Sequence, residues 1–191
     1  MRVITGSARG HPLKVPKSAA TRPTPARAKE ALFSSLGDRV IRARVLDLFA
    51  GSGAFGIEAL SRGAARAVFV EFDGMACATL RENLRSTRLE QNAILMDMDV
   101  ANALRALARQ GETFDIIFAD PPYLKDKRPK PKAIDWKHFL LHSDALKSDL
   151  AQEGVLLLEH YKQDSGVESL YFKPQKDFRF GDTMITLFRH V

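Results

Sequence analysis

The amino-acid sequence predicts an α/β protein in which a mostly parallel sheet carries helices on both faces. Three observations predict it. From Val45 onward, short apolar strands alternate with helical stretches, the pattern that calls for a parallel, doubly covered sheet. A glycine-rich turn, Gly51-x-Gly53-x-x-Gly56, joins the first of those strands to the helix after it. At 191 residues, with 45% hydrophobic and 27% charged residues, the chain is long enough to bury one sizeable core.

The elements follow in order. Residues 1–24 are rich in Gly, Pro and Lys/Arg, with β-like pieces at Arg2–Thr5 and Leu13–Val15; a small basic hairpin or arm is expected there, apart from the core. Thr24-Pro25 offers an N-cap followed by proline at the first helical position, opening a helix through Leu36 that stops at Gly37. Residues 25–191 are expected to form one compact unit. Its strands are predicted at Val45–Phe49, Ala67–Glu71, Ala93–Met96, Phe114–Ala119 and Val155–His160. Helices are predicted over Phe55–Leu60, from the second strand to about Arg85, over Val100–Arg109 and over His142–Leu150. Ser169–Phe172 and Met184–Phe188 are expected to close a seven-stranded sheet as an antiparallel pair.

Composition excludes several classes. Cys77 is the only cysteine, so a disulfide scaffold is excluded, and the histidines show no metal-ligand spacing. Apolar runs stop at four residues, such as Val155 to Leu158, whereas a bilayer-spanning helix needs about twenty. The opening residues lack the apolar stretch of a secretory signal, and a cytoplasmic protein is expected. The net charge of +6 is unevenly spread. Residues 1–44 hold ten Lys/Arg against two Asp/Glu, and residues 125–137 hold six against two. Two basic segments on an otherwise mildly acidic chain suit a polyanion, above all nucleic acid, if the fold gathers them on one face.

In an α/β sheet, ligands bind beyond the carboxyl ends of the strands. The first such loop is Asp47-Leu48-Phe49-Ala50-Gly51-Ser52-Gly53, and Glu71 ends the next strand twenty residues beyond Gly51. Glycines let the backbone approach a ligand, and a carboxylate there can accept from two vicinal ribose hydroxyls. Either a nicotinamide dinucleotide or S-adenosylmethionine suits this loop. The fourth strand separates the two, because it runs into Asp120-Pro121-Pro122-Tyr123. A carboxylate, a proline carbonyl held extended and a flat ring fit a planar base carrying an exocyclic amine. Hydride transfer needs no such set.

These loops resemble the amino-group methyltransferases that use S-adenosylmethionine. More narrowly, the chain resembles the RsmD-type branch, which methylates guanine N2 in small-subunit (16S) ribosomal RNA on a Rossmann-like class I methyltransferase fold. The resemblance rests further on Gly6-x-x-Arg9-Gly10, Thr21-Arg22-Pro23-Thr24, Lys29-Glu30-Ala31-Leu32-Phe33 and Glu58-Ala59-Leu60-Ser61-Arg62-Gly63-Ala64. Glu82-Asn83, Glu159-His160 and Gly181-Asp182-Thr183 also match. The chain departs from the pattern at His11-Pro12 and in the basic, proline-rich stretch 125–137.

The resemblance implies a cofactor site made by Asp47, Phe49, Ala50, Gly51, Ser52, Gly53, Glu71, Phe72, Asp99 and Val100. Asp47 would face the methionine ammonium, Glu71 the ribose, Phe72 the adenine ring, and Asp99-Val100 the adenine edge. Asp99 is also suited to be a helix N-cap. Asp120, Pro121, Pro122 and Tyr123 would form the amine site. Arg9, Lys14, Lys17, Arg22, Thr24, Lys125, Lys127, Arg128, Lys130 and Lys132 would meet the RNA. No metal is expected. The implied substrate is ribosomal RNA, within a small-subunit assembly particle that includes ribosomal proteins, and nothing in the sequence demands more than a monomer. Two other readings share parts of this pattern: adenine-N6 methylation of DNA or RNA, and a non-catalytic nucleic-acid-binding module. Cys77 sits in a helix without a Pro-Cys motif and reads as a buried core residue.

Overall fold

A computed structural model describes residues 1–16, 26–122, 134–162 and 168–191. The elements are α1 (Ala26–Leu36), β1 (Arg44–Leu48), α2 (Ala54–Ser61), β2 (Arg66–Glu71), α3 (Gly74–Thr87), β3 (Ala93–Asp97), α4 (Val100–Gln110), β4 (Phe114–Ala119), α5 (Trp136–Leu141), α6 (Asp144–Asp149), β5 (Leu150–Tyr161), β6 (Phe172–Phe180) and β7 (Thr183–His190). The strands form one sheet in the order β3-β2-β1-β4-β5-β7-β6. The β3-β2-β1-β4-β5 pairs are parallel, and β7 runs against both its neighbours.

Local chemistry sets the helix ends. The Asp73 carboxylate accepts the Ala76 N–H and opens α3, which closes at Arg88 in the left-handed region. Asp99 caps α4 through the Asn102 N–H, and Gly111 ends it at φ +66°. In the central strands β1, β2, β4 and β5 both faces are buried, as near-continuous apolar strands require. Val45, Phe69, Phe118, Leu157 and Ile185 share one core with Leu32, Phe33 and Phe55. Leu46, Val68, Ile117, Leu156 and Phe188 share the other with Leu104 and Leu146.

Several elements differ from their sequence-based prediction: α5 was not expected, and β5 begins at Leu150 rather than Val155. The helix expected over His142–Leu150 is present as α6, shortened to Asp144–Asp149 because Ser143 accepts the Leu146 N–H as its N-cap and Leu150 already belongs to β5. The sixth strand lies at Phe172–Phe180 rather than Ser169–Phe172. It is an edge strand whose residues 173–177 are all exposed, so it lacks the apolar run that marks its neighbours. Pro174 sits at a register shift within it, where a missing N–H is tolerated.

The described part of the N-terminal segment folds back on itself: Arg2 and Pro12 form an antiparallel bridge, and the Val3, Gly10 and Leu13 N–H groups donate to the His11, Val3 and Met1 carbonyls at 3.0, 2.9 and 2.8 Å. It also enters the core, with Val3 and Leu13 buried in the cluster that holds Phe33 and Phe55. Glu58 of α2 accepts the Ile4 and Thr5 N–H groups at 2.8 and 3.0 Å and pairs with Lys29 and Arg62. Gly6, at φ +90°, lies so close to α2 that a Cβ there would fall 1.7 Å from the Ser61 carbonyl oxygen. Among the described residues no helix is long and apolar enough to cross a membrane.

Candidate active site

The carboxyl ends of β1, β2, β3 and β4 converge, and the sequence-predicted loops lie there. β1 ends at Leu48, and the chain turns through Phe49, which holds φ +60° with its ring edge-on to Trp136 at 5.0 Å. The turn is fastened on three sides. Ala50 N–H donates to the Val70 carbonyl at 2.9 Å, and Gly53 N–H to the Ala50 carbonyl at 2.7 Å. Gly51 N–H donates to Glu71 Oε2 at 2.8 Å. Gly53 combines φ +77° with a Cβ position 2.2 Å from Leu80 Cδ1, so a side chain here would be strained and would have to displace Leu80 where α2 starts against α3. A Cβ on Gly51 would meet nothing nearer than 4.0 Å; the space above it is open.

Glu71 organises the next loop. Its second oxygen accepts from both the Phe72 and Asp73 N–H groups, at 2.8 and 2.9 Å. A carboxylate held by three backbone donors is fixed in place and keeps one lone-pair direction for a ligand hydroxyl. The Phe72 ring, 72% exposed, stands free beside it, as a stacking surface for a heterocycle would. Met98 N–H bonds the Glu71 carbonyl at 3.0 Å and thereby brings the β3 end, with Asp99 and Val100, to the same rim. Asp99 serves as the α4 N-cap, and Val100 is buried.

Three carboxyls share one sheet face. Asp47 of β1 is in register with Phe118, which is in register with Leu157 of β5. Side chains alternate along a strand, so Asp120 and Glu159, two residues further on, continue that face. Asp47 is buried, and its Oδ2 accepts the Gly56 N–H at 2.9 Å. Burial outweighs that bond and, with Glu71 nearby, pushes its carboxyl up to about 8. Asp120 is half-buried just past β4. Burial and the neighbouring Glu159 and Asp47 carboxyls hold it well above the usual carboxylate range, and it shares a hydrogen bond with Glu159. Three carboxyls held together in this way favour a positively charged ligand and an N–H donor.

The structure thus brings together Asp47, Phe49, Ala50, Gly51, Ser52, Gly53, Glu71, Phe72, Asp99 and Val100, with Asp120, Pro121 and Pro122 at the adjoining strand end. Tyr123, Lys17, Arg22, Thr24, Lys125, Lys127, Arg128, Lys130 and Lys132 lie outside the described residues. Arg9 is exposed, and the Lys14 ammonium pairs with Glu82. Cys77 is buried, its thiol donating to the Glu71 carbonyl at 3.4 Å. Sequence reasoning assigned no role to Glu159 or Asn83. Glu159 closes an apolar run as a lone acid, and Asn83 interrupts the apolar face of α3; both are signals of a buried polar contact without saying to what.

Fold and site together define a Rossmann-like class I methyltransferase, the type that uses S-adenosylmethionine. The chain belongs to the family described as conserved hypothetical protein 95, whose family model matches residues 1–189. It is 40% identical over 163 residues to "Putative rRNA methyltransferase YlbH" of Bacillus subtilis, covering 85% of this chain and 84% of that one. It is 43% identical over 123 residues to ribosomal RNA small subunit methyltransferase D of Escherichia coli, covering 64% and 60%. Among solved structures, "Putative methyltransferase yhhF" of Escherichia coli superposes with a TM-score of 0.80 at 30% identity, covering 100% and 97% of the two chains. A Thermus thermophilus 16S rRNA N2 G1207 methyltransferase in complex with AdoMet and guanosine superposes with a TM-score of 0.64 at 25% identity, covering 91% and 44%.

Proposed function

We propose that this methyltransferase transfers the methyl group of S-adenosylmethionine to the exocyclic N2 amine of a guanine in small-subunit ribosomal RNA. One observation carries the reading: a desolvated acceptor, Asp120, followed by Pro121 and Pro122, stands on the same sheet edge as the glycine turn and Glu71. The relatives' names point the same way, two of them to ribosomal RNA methylation and one solved structure to guanine N2.

The residues present fit the cofactor. Glu71, fixed by three N–H donors, would receive the ribose hydroxyls, one on its remaining lone pair and the other in exchange for a backbone donor, and the exposed Phe72 ring would lie against adenine. Val100 and Asp99 would meet the adenine edge, although Asp99 also caps α4. Gly51, Ser52 and Gly53 would pass beneath the methionine portion, with Ala50 and Phe49 shaping the turn. Asp47 would face the ammonium, whose charge would bring its raised carboxyl back to the ionised form. When bound, S-adenosylmethionine supplies a methyl already activated by sulfonium charge.

The protein's task is then to present the amine. A guanine amine is a weak nucleophile because its lone pair is delocalised into the ring. Asp120 and the Pro121 carbonyl would each accept one amine N–H, favouring a pyramidal nitrogen aimed along the transfer line, with Tyr123 stacked on the base. Most of the acceleration comes from this placement, and Asp120 takes up the surplus proton. The amine of a stacked, paired guanine is out of reach, so the target base is flipped or unpaired.

Arg9, Lys14, Lys17, Arg22, Thr24, Lys125, Lys127, Arg128, Lys130 and Lys132 would hold the RNA backbone around this mouth. The protein would act in the cytoplasm as a monomer, on a small-subunit assembly particle that includes ribosomal proteins. The test is incubation with labelled S-adenosylmethionine and ribosomal RNA from cells lacking this protein, followed by nucleoside mass analysis. N2-methylguanosine is expected. N6-methyladenosine would transfer the same site chemistry to adenine, and absence of any methylated nucleoside would leave a binding module.

A further inference from the structure

Asn83 lies on α3, outside the ring of residues that surround the cofactor, yet it is 1% exposed and fully engaged. Its Oδ1 accepts the Lys14 N–H at 2.8 Å. Its Nδ2 donates to the Lys14 carbonyl at 3.0 Å and to the Ser52 carbonyl at 2.9 Å. One side-chain amide therefore satisfies both backbone groups of a residue in the N-terminal segment, as a neighbouring strand would, and grips the centre of the glycine turn with its remaining proton. The adjacent Glu82 pairs with the Lys14 ammonium, so two consecutive residues of α3 seize Lys14 by backbone and by charge.

The Ser52 carbonyl is a consequential place to hold. Ser52 stands between Gly51 and Gly53, both at positive φ, and glycine-flanked peptides rotate easily. Fixing that carbonyl fixes the peptide plane on which the methionine part of the cofactor would rest. At its other end the same amide anchors the root of the basic segment, two residues before Pro16. Because one amide bonds the turn and Lys14 together, order at either end favours order at the other.

We propose that Asn83 is a positioning residue that couples the glycine turn to the N-terminal segment, so that cofactor on the turn and a docked segment stabilise each other. The inference rests on the cofactor site proposed above. Coupling of this kind is reciprocal and commonly amounts to about 5–150-fold in affinity.

The test reads backbone amide exchange and calorimetric binding of S-adenosylhomocysteine to the full chain. In the unaltered protein the ligand should slow exchange of the Lys14 amide about tenfold. Asn83→Ala should bind the ligand about tenfold more weakly, still slow the amides of the glycine turn, and show no slowing at Lys14. Lys14→Pro removes the N–H that Asn83 reads without touching the turn; it should weaken ligand binding in the same direction, and it keeps the test open if Asn83→Ala does not fold. Ligand that binds the unaltered protein and leaves Lys14 exchange unchanged, or slows it equally in Asn83→Ala, overturns the coupling while the cofactor site stands. Failure of the ligand to bind the unaltered protein at all removes the cofactor site and the coupling with it.

Discussion

The Lys29 ammonium lies 3.0 Å from the Glu58 carboxylate, with the two side chains 4% and 0% exposed. Glu58 also accepts from Ile4, Thr5 and Arg62, and Lys29 donates to the Arg2 carbonyl at 3.1 Å. The pair is therefore the rivet through which α1, α2 and the N-terminal segment meet. Those donors together outweigh burial and hold the Glu58 carboxyl below its ordinary value.

Replacing Lys29 by methionine leaves a buried, half-compensated carboxylate. Removing one partner of such a pair costs about 3–5 kcal/mol; the solvent access that Arg62 retains places Lys29→Met at the low end. Urea denaturation of the variant is expected to show that loss. A midpoint within error of the parent would mean that the pair contributes no net stability.

Gly6 and Gly53 tolerate side chains differently. At Gly6 an added methyl group meets the backbone carbonyl of Ser61 at 1.7 Å, whereas at Gly53 it meets the end of the Leu80 side chain at 2.2 Å. Backbone cannot step aside as a side-chain methyl can. Overpacking costs about 1–3 kcal/mol, and Gly6→Ala should exceed Gly53→Ala in thermal shift. Gly53→Ala should instead show the larger loss of S-adenosylhomocysteine affinity, read by calorimetry.

Asp120→Ala should separate chemistry from cofactor binding. Methyl transfer is expected to fall by about 100-fold or more, the scale of a lost acid–base group, with cofactor affinity close to that of the parent. Because burial and two neighbouring carboxyls raise Asp120, and its ionised form accepts the amine proton, single-turnover rates should decline with acidification well above the pH at which an ordinary carboxylate titrates. A rate flat from pH 8 down to about 5 would refute the assignment.

Asp149, at the end of α6, is buried, and neither carboxylate oxygen has a hydrogen-bond partner among the described residues. Burial pushes its carboxyl from 3.8 up to about 7. The folded state thus holds a proton that the unfolded chain has already released, and stability declines as pH rises from about 4 to about 7. Asp149→Asn removes that dependence. Its melting temperature should match the parent near pH 4 and exceed it by about 3 °C or more at pH 8.

Charge reversal at Lys127, Arg128 and Lys130 should weaken RNA binding and flatten its salt dependence, since every phosphate left without its cation takes close to one unit off the slope. Filter binding across a salt series provides the measurement. An unchanged slope would take the 125–137 stretch out of the RNA interface.

The strands β1 to β4 were legible to within a residue at either end because each is a compact apolar run between turn residues. Phe114–Ala119 coincides at both ends. The tight turn at Gly51 and Gly53 was legible for a related reason: a backbone that takes positive φ leaves glycines in the chain, and Glu71 stands out as the acid that ends an apolar strand. Asn83 and Glu58 were not, since their partners lie 69 and 54 residues away. β6 escaped because a solvent-facing edge needs few apolar residues; Phe172 and Phe178 alone are buried along its length.

That same edge has a bearing on solubility. The outer side of β6 offers its amides and carbonyls to any chain able to extend the sheet, a standing invitation to aggregate. Pro174 withholds one donor, the register shift after it breaks the ladder, and Lys173 and Lys176 surround the gap with like charge. Evening out that strand with Pro174→Val and Lys176→Thr would restore the missing donor and thin its positive charge, bringing it closer to the smooth border from which fibrils grow.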